Sequence, residues 1–144
     1  MSDTANEQEL LFADESSGCF GCSRDNPHGL HLRFFRRGDS VVCRYTVPDH
    51  FHGAPQVAHG GIIAAILDEV SCAAAYHLEG EHVVTGELSV RYERPCPVEQ
   101  PLVIVARPRE RRAHYWIIAA TVERNGEVLA RSEGRFFPVD RPTP

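Results

Sequence analysis

The sequence predicts an α+β protein in which an antiparallel β-sheet wraps around one long central α-helix. The stretch from Gly60 to Leu78 is long, rich in alanine and apolar around most of its circumference, and such a helix belongs in an interior. Strand-like segments, alternating in polarity or rich in β-branched residues, lie on both sides of it. Short turns join several of them, which makes the joined strands antiparallel neighbours and leaves the single helix to cover their apolar face.

Residues 1–17 are polar with little periodicity and are expected to form a flexible N-terminal segment, with Leu10-Leu11-Phe12 able to dock on the body. From Gly18 to Gly29 turn formers are dense, so this stretch reads as an ordered loop. Leu30, Leu32 and Phe34 alternate with His31 and Arg33, and after a turn at Arg37-Gly38-Asp39 the run Val41 to Val47 completes a hairpin. Pro48 to Pro55 is a loop, and Gly80 is placed to stop the helix. Four strands follow: Val83 to Tyr92, Leu102 to Arg107, Ala113 to Glu123 and Val128 to Phe137. Asn125-Gly126 is a two-residue hairpin signal between the last two, and Pro95-Cys96-Pro97 ends the first. The expected organisation is one domain over residues 18–138 and a C-terminal tail over 139–144.

At 144 residues and 42% hydrophobic, the chain can bury one sizeable core. A formal charge of -5 with dispersed arginines argues against a nucleic-acid partner. The start lacks the basic flank and apolar stretch of a secretory signal. The apolar runs around Ile62–Leu67 and Trp116–Ala120 read as too short to cross a bilayer, so no membrane partner is expected. Five cysteines, an odd number, fit a reducing, cytoplasmic setting.

The start of the helix carries the most chemical information. Gly60 and Gly61 let backbone N–H groups approach a ligand, and the first N–H groups of a helix have no partner within it, so an oxyanion can be held there. Asp68 and Glu69 lie two turns on, among Ile, Leu, Val and Ala, where a carboxylate is costly unless paired or used. Neighbouring helix residues point about 100° apart, so only one of the two is expected in any given cleft. The plainer reading has Glu69 on a solvated strip and Asp68 capping a backbone group. Eight residues at about 1.5 Å each put Gly60 and Asp68 about 12 Å apart, too far for both to act on one carbonyl. If both act, the site lies between two copies of the chain, and a homodimer follows.

Other polar groups have balanced readings. Cys19-x-x-Cys22 resembles half a zinc site, with His28 and His31 as imaginable partners, but a second knuckle is missing, so neither metal nor cofactor is expected. His50, His52 and His59 precede the helix, and His59 is placed to fix the loop presenting Gly60. Thr85 begins a strand and can hold a water or a carboxylate; it is equally an ordinary strand threonine. Arg91 and Arg94, with Arg107, Arg109, Arg111 and Arg112, populate strand ends and a loop where phosphate contact or simple solvation is expected.

The segments FHGAPQVAHGGIIAAILDE and TGELSVRYERPCP, with the opening CFGCSRDNPHGLHLRFF, resemble the PaaI-like branch of the hotdog-fold acyl-CoA thioesterases from about Cys19 to Phe137. The resemblance implies a hotdog fold, assembly as a homodimer or dimer of dimers, and metal-free hydrolysis of acyl-CoA. It places the family's helix carboxylate, as general base or nucleophile, on Asp68. Its oxyanion glycine falls on Gly60, its histidine on His59 and its strand hydroxyl on Thr85. Gly61, His52, Gln56, Arg91 and Arg94 are the expected substrate contacts. Two departures stand out: Ala54-Pro55-Gln56 replaces a common Pro-Gly pair, bringing a bulky amide near the acyl pocket, and Gly53 stands where some members have asparagine, with His52 beside it as a substitute. Two alternatives remain at this level: a hotdog dehydratase or hydratase using the His50–Pro55 loop, and a non-catalytic acyl-CoA binding module.

Overall fold

A computed structural model describes residues 6–10 and 18–140. Among them, one α-helix, α1 (Gly60–Glu79), packs against seven strands: β1 (Gln8–Leu10), β2 (Phe34–Arg37), β3 (Ser40–Thr46), β4 (Val83–Tyr92), β5 (Pro101–Arg111), β6 (Trp116–Arg124) and β7 (Glu127–Pro138). They form one sheet in the order β1-β2-β3-β5-β6-β7-β4, antiparallel throughout. The expected antiparallel sheet around a single helix is present. Leu11, Phe12, the extreme N-terminus and residues 141–144, for which docking, flexibility and a tail were expected, lie outside the described residues.

The helix starts and stops where its chemistry dictates. The His59 ring accepts a hydrogen bond from the Gly61 N–H and caps the first turn. Gly80 ends it in the left-handed region at φ 71, with its N–H bonded to Tyr76 O and that of Glu81 to Ala75 O. Between these limits Ile63, Ile66, Leu67, Val70 and Ala73–Ala75 are buried against Val41, Leu102, Ile104, Ile118, Val122 and Phe136 of the sheet. Each large aliphatic side chain so buried contributes about 1.5–3 kcal/mol. One expectation needs correcting: by length and composition α1 is long and apolar enough to cross a bilayer, with a mean hydropathy of 1.3. The short apolar runs understated it because the alanines and glycines around them extend the stretch. Its buried side chains, Ile63, Ile66, Leu67, Val70 and Ala73–Ala75, join the core formed with the sheet, as in the core helix of a folded domain.

Three further differences from the sequence reading have local causes. The hairpin begins at Phe34 and not at Leu30, because the N–H groups of Leu30 and Leu32 bond to Phe20 O and Gly21 O, leaving both side chains buried under a loop. Gln8–Leu10, assigned to a flexible segment, form β1 on β2. They are held by Glu7, whose carboxylate takes two hydrogen bonds from Arg44 at 2.7 and 2.5 Å and lies 3.8 Å from Arg37. Finally, β4 pairs with β7 and not with its chain successor β5; residues 93–100 carry the chain across. The last hairpin turns on Asn125 (φ 51) and Gly126 (φ 79), as their side chains permit.

Candidate active site

Asp68 projects from α1 toward the edge strand β4, where the Thr85 hydroxyl donates to its Oδ1 at 2.5 Å. Among the described residues no donor reaches Oδ2. Burial pushes the Asp68 carboxyl above its ordinary value, partly offset by the Thr85 hydrogen bond. The Cys72 thiol, 3.8 Å from the same hydroxyl, is pushed up to about 12, by burial first and by Asp68 second. The Thr85 hydroxyl thus meets a carboxylate, one of the partners expected of it.

A bulge in β4 sets this contact. Thr85 pairs with Phe136 and Glu87 with Arg135, so Gly86 is the extra residue. The extra residue reverses the inward parity of the strand: Val83 packs toward the core before it, Leu88 and Val90 after it. A Cβ at Gly86 would overlap the Phe137 ring, so any other residue at the bulge would have to displace that ring.

Glu69, beside Asp68, does not lie on a solvated strip. Both its carboxylate oxygens lie 3.8 Å from Cys19 Sγ, and the turn Cys19–Cys22 covers it. Burial and then the neighbouring Asp68 push its carboxyl up, with the Cys19 thiol opposing. His31 is turned elsewhere, its Nε2 2.5 Å from Asn26 O.

At the other end of the helix the two glycine N–H groups differ. That of Gly61 is taken by His59 Nδ1 at 2.9 Å, which puts the ring proton on Nε2. That of Gly60 has no acceptor among the described residues. The Tyr92 hydroxyl donates to Gly60 O at 2.6 Å, fixing the Gly60–Gly61 peptide from the far end of β4. Tyr92 was missed in the sequence, where it reads as an ordinary strand aromatic.

A groove of about 420 Å³ opens beside Gly60, walled by Ala54, Val57, Ile63, Tyr92, Arg94 and Cys96 among others. Arg94 therefore lines the same groove as Gly60, with its guanidinium 3.4 Å from Glu127. Arg91 does not join it; it lies with Arg109 and Arg131 on the outer face of the sheet. His52 and Gln56 belong to the loop that supplies Gly53, Ala54 and Val57 to the groove, but do not line it themselves. The His52 ring is 2.6 Å from Asp49 O, and Gln56 adopts φ 64 while its carbonyl accepts from Val98 N–H. Within one chain, then, Asp68 and Thr85 form one cluster, and Gly60, His59, Tyr92 and Arg94 another, about 12 Å along the helix.

The helix-wrapping sheet, with a hydroxyl-held carboxylate and a free glycine N–H on its helix, defines a hotdog domain. The model of the thioesterase superfamily matches residues 55–130, and the chain belongs to that family. It is similar to acyl-coenzyme A thioesterase THEM5 of Mus musculus, 32% identical over 99 residues, 67% of this chain and 39% of the mouse protein. Acyl-coenzyme A thioesterase THEM4 of Rattus norvegicus is 26% identical over 117 residues, 79% of this chain and 50% of the rat protein. The chain thus spans about half or less of these curated relatives. Among solved structures, AziG of S. sahachiroi superposes with a TM-score of 0.69 at 26% identity, over 76% of this chain and 92% of that one. A Streptococcus mutans UA159 protein bound to acetyl CoA shares the fold, with a TM-score of 0.70 at 19% identity over 78% and 91% of the two chains.

Proposed function

We propose that the chain hydrolyses acyl-CoA thioesters to free acid and CoA at sites shared between two copies, with Asp68 as general base or nucleophile and the Gly60 N–H as oxyanion donor. The path of β4 carries this reading. The strand runs from Thr85, beside Asp68, to Tyr92, beside Gly60, and among the described residues its outer edge pairs with no strand. Antiparallel pairing of that edge with its own copy sets the Thr85 end of one strand opposite the Tyr92 end of the other. Asp68 then approaches Gly60 of the partner subunit, a meeting that about 12 Å of helix forbids within one chain. A homodimer, alone or within a dimer of dimers, is the proposed assembly.

In this arrangement Thr85 holds Oδ1 of Asp68 and leaves Oδ2 to take a proton from water. The water oxygen bonds to the thioester carbonyl carbon, and the carbonyl oxygen gains negative charge at the glycine N–H. Collapse of the adduct breaks the carbon–sulfur bond, and the CoA thiolate recovers the proton held by Asp68. Alternatively, Oδ2 itself attacks, and water hydrolyses the resulting anhydride. His59 keeps the first turn in place, and Arg94 at the groove offers a guanidinium to CoA phosphate. The names of the THEM relatives and the acetyl-CoA-bound neighbour support acyl-CoA as the substrate class. The cytoplasmic setting remains part of the proposal, and rests on the odd number of cysteines in the sequence.

The test is release of CoA thiol, read with a chromogenic thiol reagent, from a panel of acyl-CoA esters. Thiol release by the wild-type chain, lost in a folded Asp68→Asn variant, is expected. Tight ester binding without release contradicts the proposal.

A further inference from the structure

The Cys19–Cys22 turn has no part in the proposed reaction, yet it is built against the helix. Cys19 Sγ, Cys22 Sγ and a Glu69 carboxylate oxygen all lie within 4.8 Å of one another, each residue half-buried. Cys19 Sγ stands 3.8 Å from both Glu69 oxygens. A tetrahedral zinc ion with metal–sulfur bonds of about 2.3 Å and metal–oxygen bonds of about 2.0–2.2 Å separates its donor atoms by about 3.5–3.8 Å. From separations of at most 4.8 Å, the three donors therefore need to close by no more than about 1.3 Å to meet that geometry.

A second observation shows that the turn is shaped to Glu69. Gly21, between the two cysteines, is buried, and a Cβ there would overlap the Glu69 side chain. Glycine alone lets the backbone close over the carboxylate. The turn is also tied from both sides. Buried Ser23 accepts the Gly18 and Asp25 N–H groups, and the carbonyls of Phe20 and Gly21 accept from Leu30 and Leu32. Two soft sulfur donors and one carboxylate on a tied turn suit a borderline-soft cation, and not the all-oxygen set that magnesium or calcium takes.

We propose that Cys19, Cys22 and Glu69 bind one thiophilic divalent cation of the zinc class, which clasps the 18–23 turn to α1 next to Asp68 and leaves one coordination position open. The histidines suggested by the sequence are not part of it; Glu69, non-local in the chain, supplies the third donor. A cation there also relieves the repulsion that Asp68 exerts on Glu69, tying the turn of helix that carries Asp68 to the N-terminal loop.

The test uses the full chain, stripped of metal and kept reduced with a phosphine, titrated with cobalt(II). Expected are one cobalt per chain, thiolate-to-metal charge transfer in the ultraviolet and the intense visible bands of tetrahedral cobalt, all displaced by zinc. Cys22→Ser and Glu69→Gln should each lower affinity by about 100-fold or more. The double variant His28→Ala, His31→Ala should titrate like wild type. Far-UV circular dichroism of each metal-free variant checks that it is folded; should Cys22→Ser unfold, Glu69→Gln decides alone. Absence of the charge-transfer band, or binding that survives Glu69→Gln, overturns the proposal. Because the readout is metal absorption and not thiol release, its failure is distinct from failure of the thioesterase reading.

Discussion

Thr85 on the edge strand donates its hydroxyl to Asp68 on the central helix at 2.5 Å, and this bond fixes which carboxylate oxygen remains free. Asp68 is held at Oδ1 while burial raises its carboxyl, so the free Oδ2 is both aimed and more basic than a surface aspartate. Replacing Thr85 by Val keeps the shape and the strand propensity but deletes the donor. Its kcat should fall about 10-fold to 100-fold, with KM changing far less, because the carboxylate loses its orientation. Thr85→Ser should restore most of the rate. Steady-state kinetics on one acyl-CoA ester with the three proteins checks this.

Gly60 separates a backbone role from a side-chain role. Gly60 is the first residue of α1, a position at which proline is well tolerated, and His59 before it already has the extended ψ of 133 that proline demands of its predecessor. Gly60→Pro removes the N–H and is expected to lower kcat by about 100-fold to 1000-fold while the fold survives. Gly60→Ala keeps the N–H and meets only Tyr92, at an ordinary contact of 3.5 Å, so it should retain most activity. Equal losses in the two variants would show that bulk, and not the donor, matters.

The Glu7–Arg44 pair should make stability depend on pH. Hydrogen bonding from Arg44 holds the Glu7 carboxyl below its ordinary value, and the Glu7 side chain is only 3% exposed. A carboxyl lowered on folding adds stability above its unfolded value and loses it as pH falls through the folded one. Glu7→Gln should therefore destabilise by about 1–2 kcal/mol near neutral pH, with the difference from wild type vanishing in the acid range below the ordinary carboxylate value. Thermal melts of both proteins across that range test it.

Much of this was legible in the sequence because it is local. The helix limits follow from His59-Gly60-Gly61 and Gly80, and the last hairpin from Asn125-Gly126, where backbone conformation and residue type coincide. The Asp68 and Gly60 roles were readable as candidates because a carboxylate in an apolar run and paired glycines at a helix start each require a reason. What escaped was non-local. The Gly86 bulge reads as a glycine in a strand until Phe137 is placed against it. Tyr92 reads as β-propensity until its hydroxyl meets Gly60 O. Glu69 looked solvated because nothing in its own helix says that residues fifty positions earlier cover it.

The central claim, that one reaction uses Asp68 from one copy and Gly60 from another, is tested most directly by complementation. Asp68→Asn and Gly60→Pro chains, each nearly inactive alone, are mixed, unfolded and refolded together, and thiol release is measured against wild type treated alike. Random pairing makes half the dimers mixed, each with one of two sites intact, so about a quarter of wild-type activity should return. A mixture no more active than its parents, with mixed dimers present by native mass spectrometry, would contradict the account.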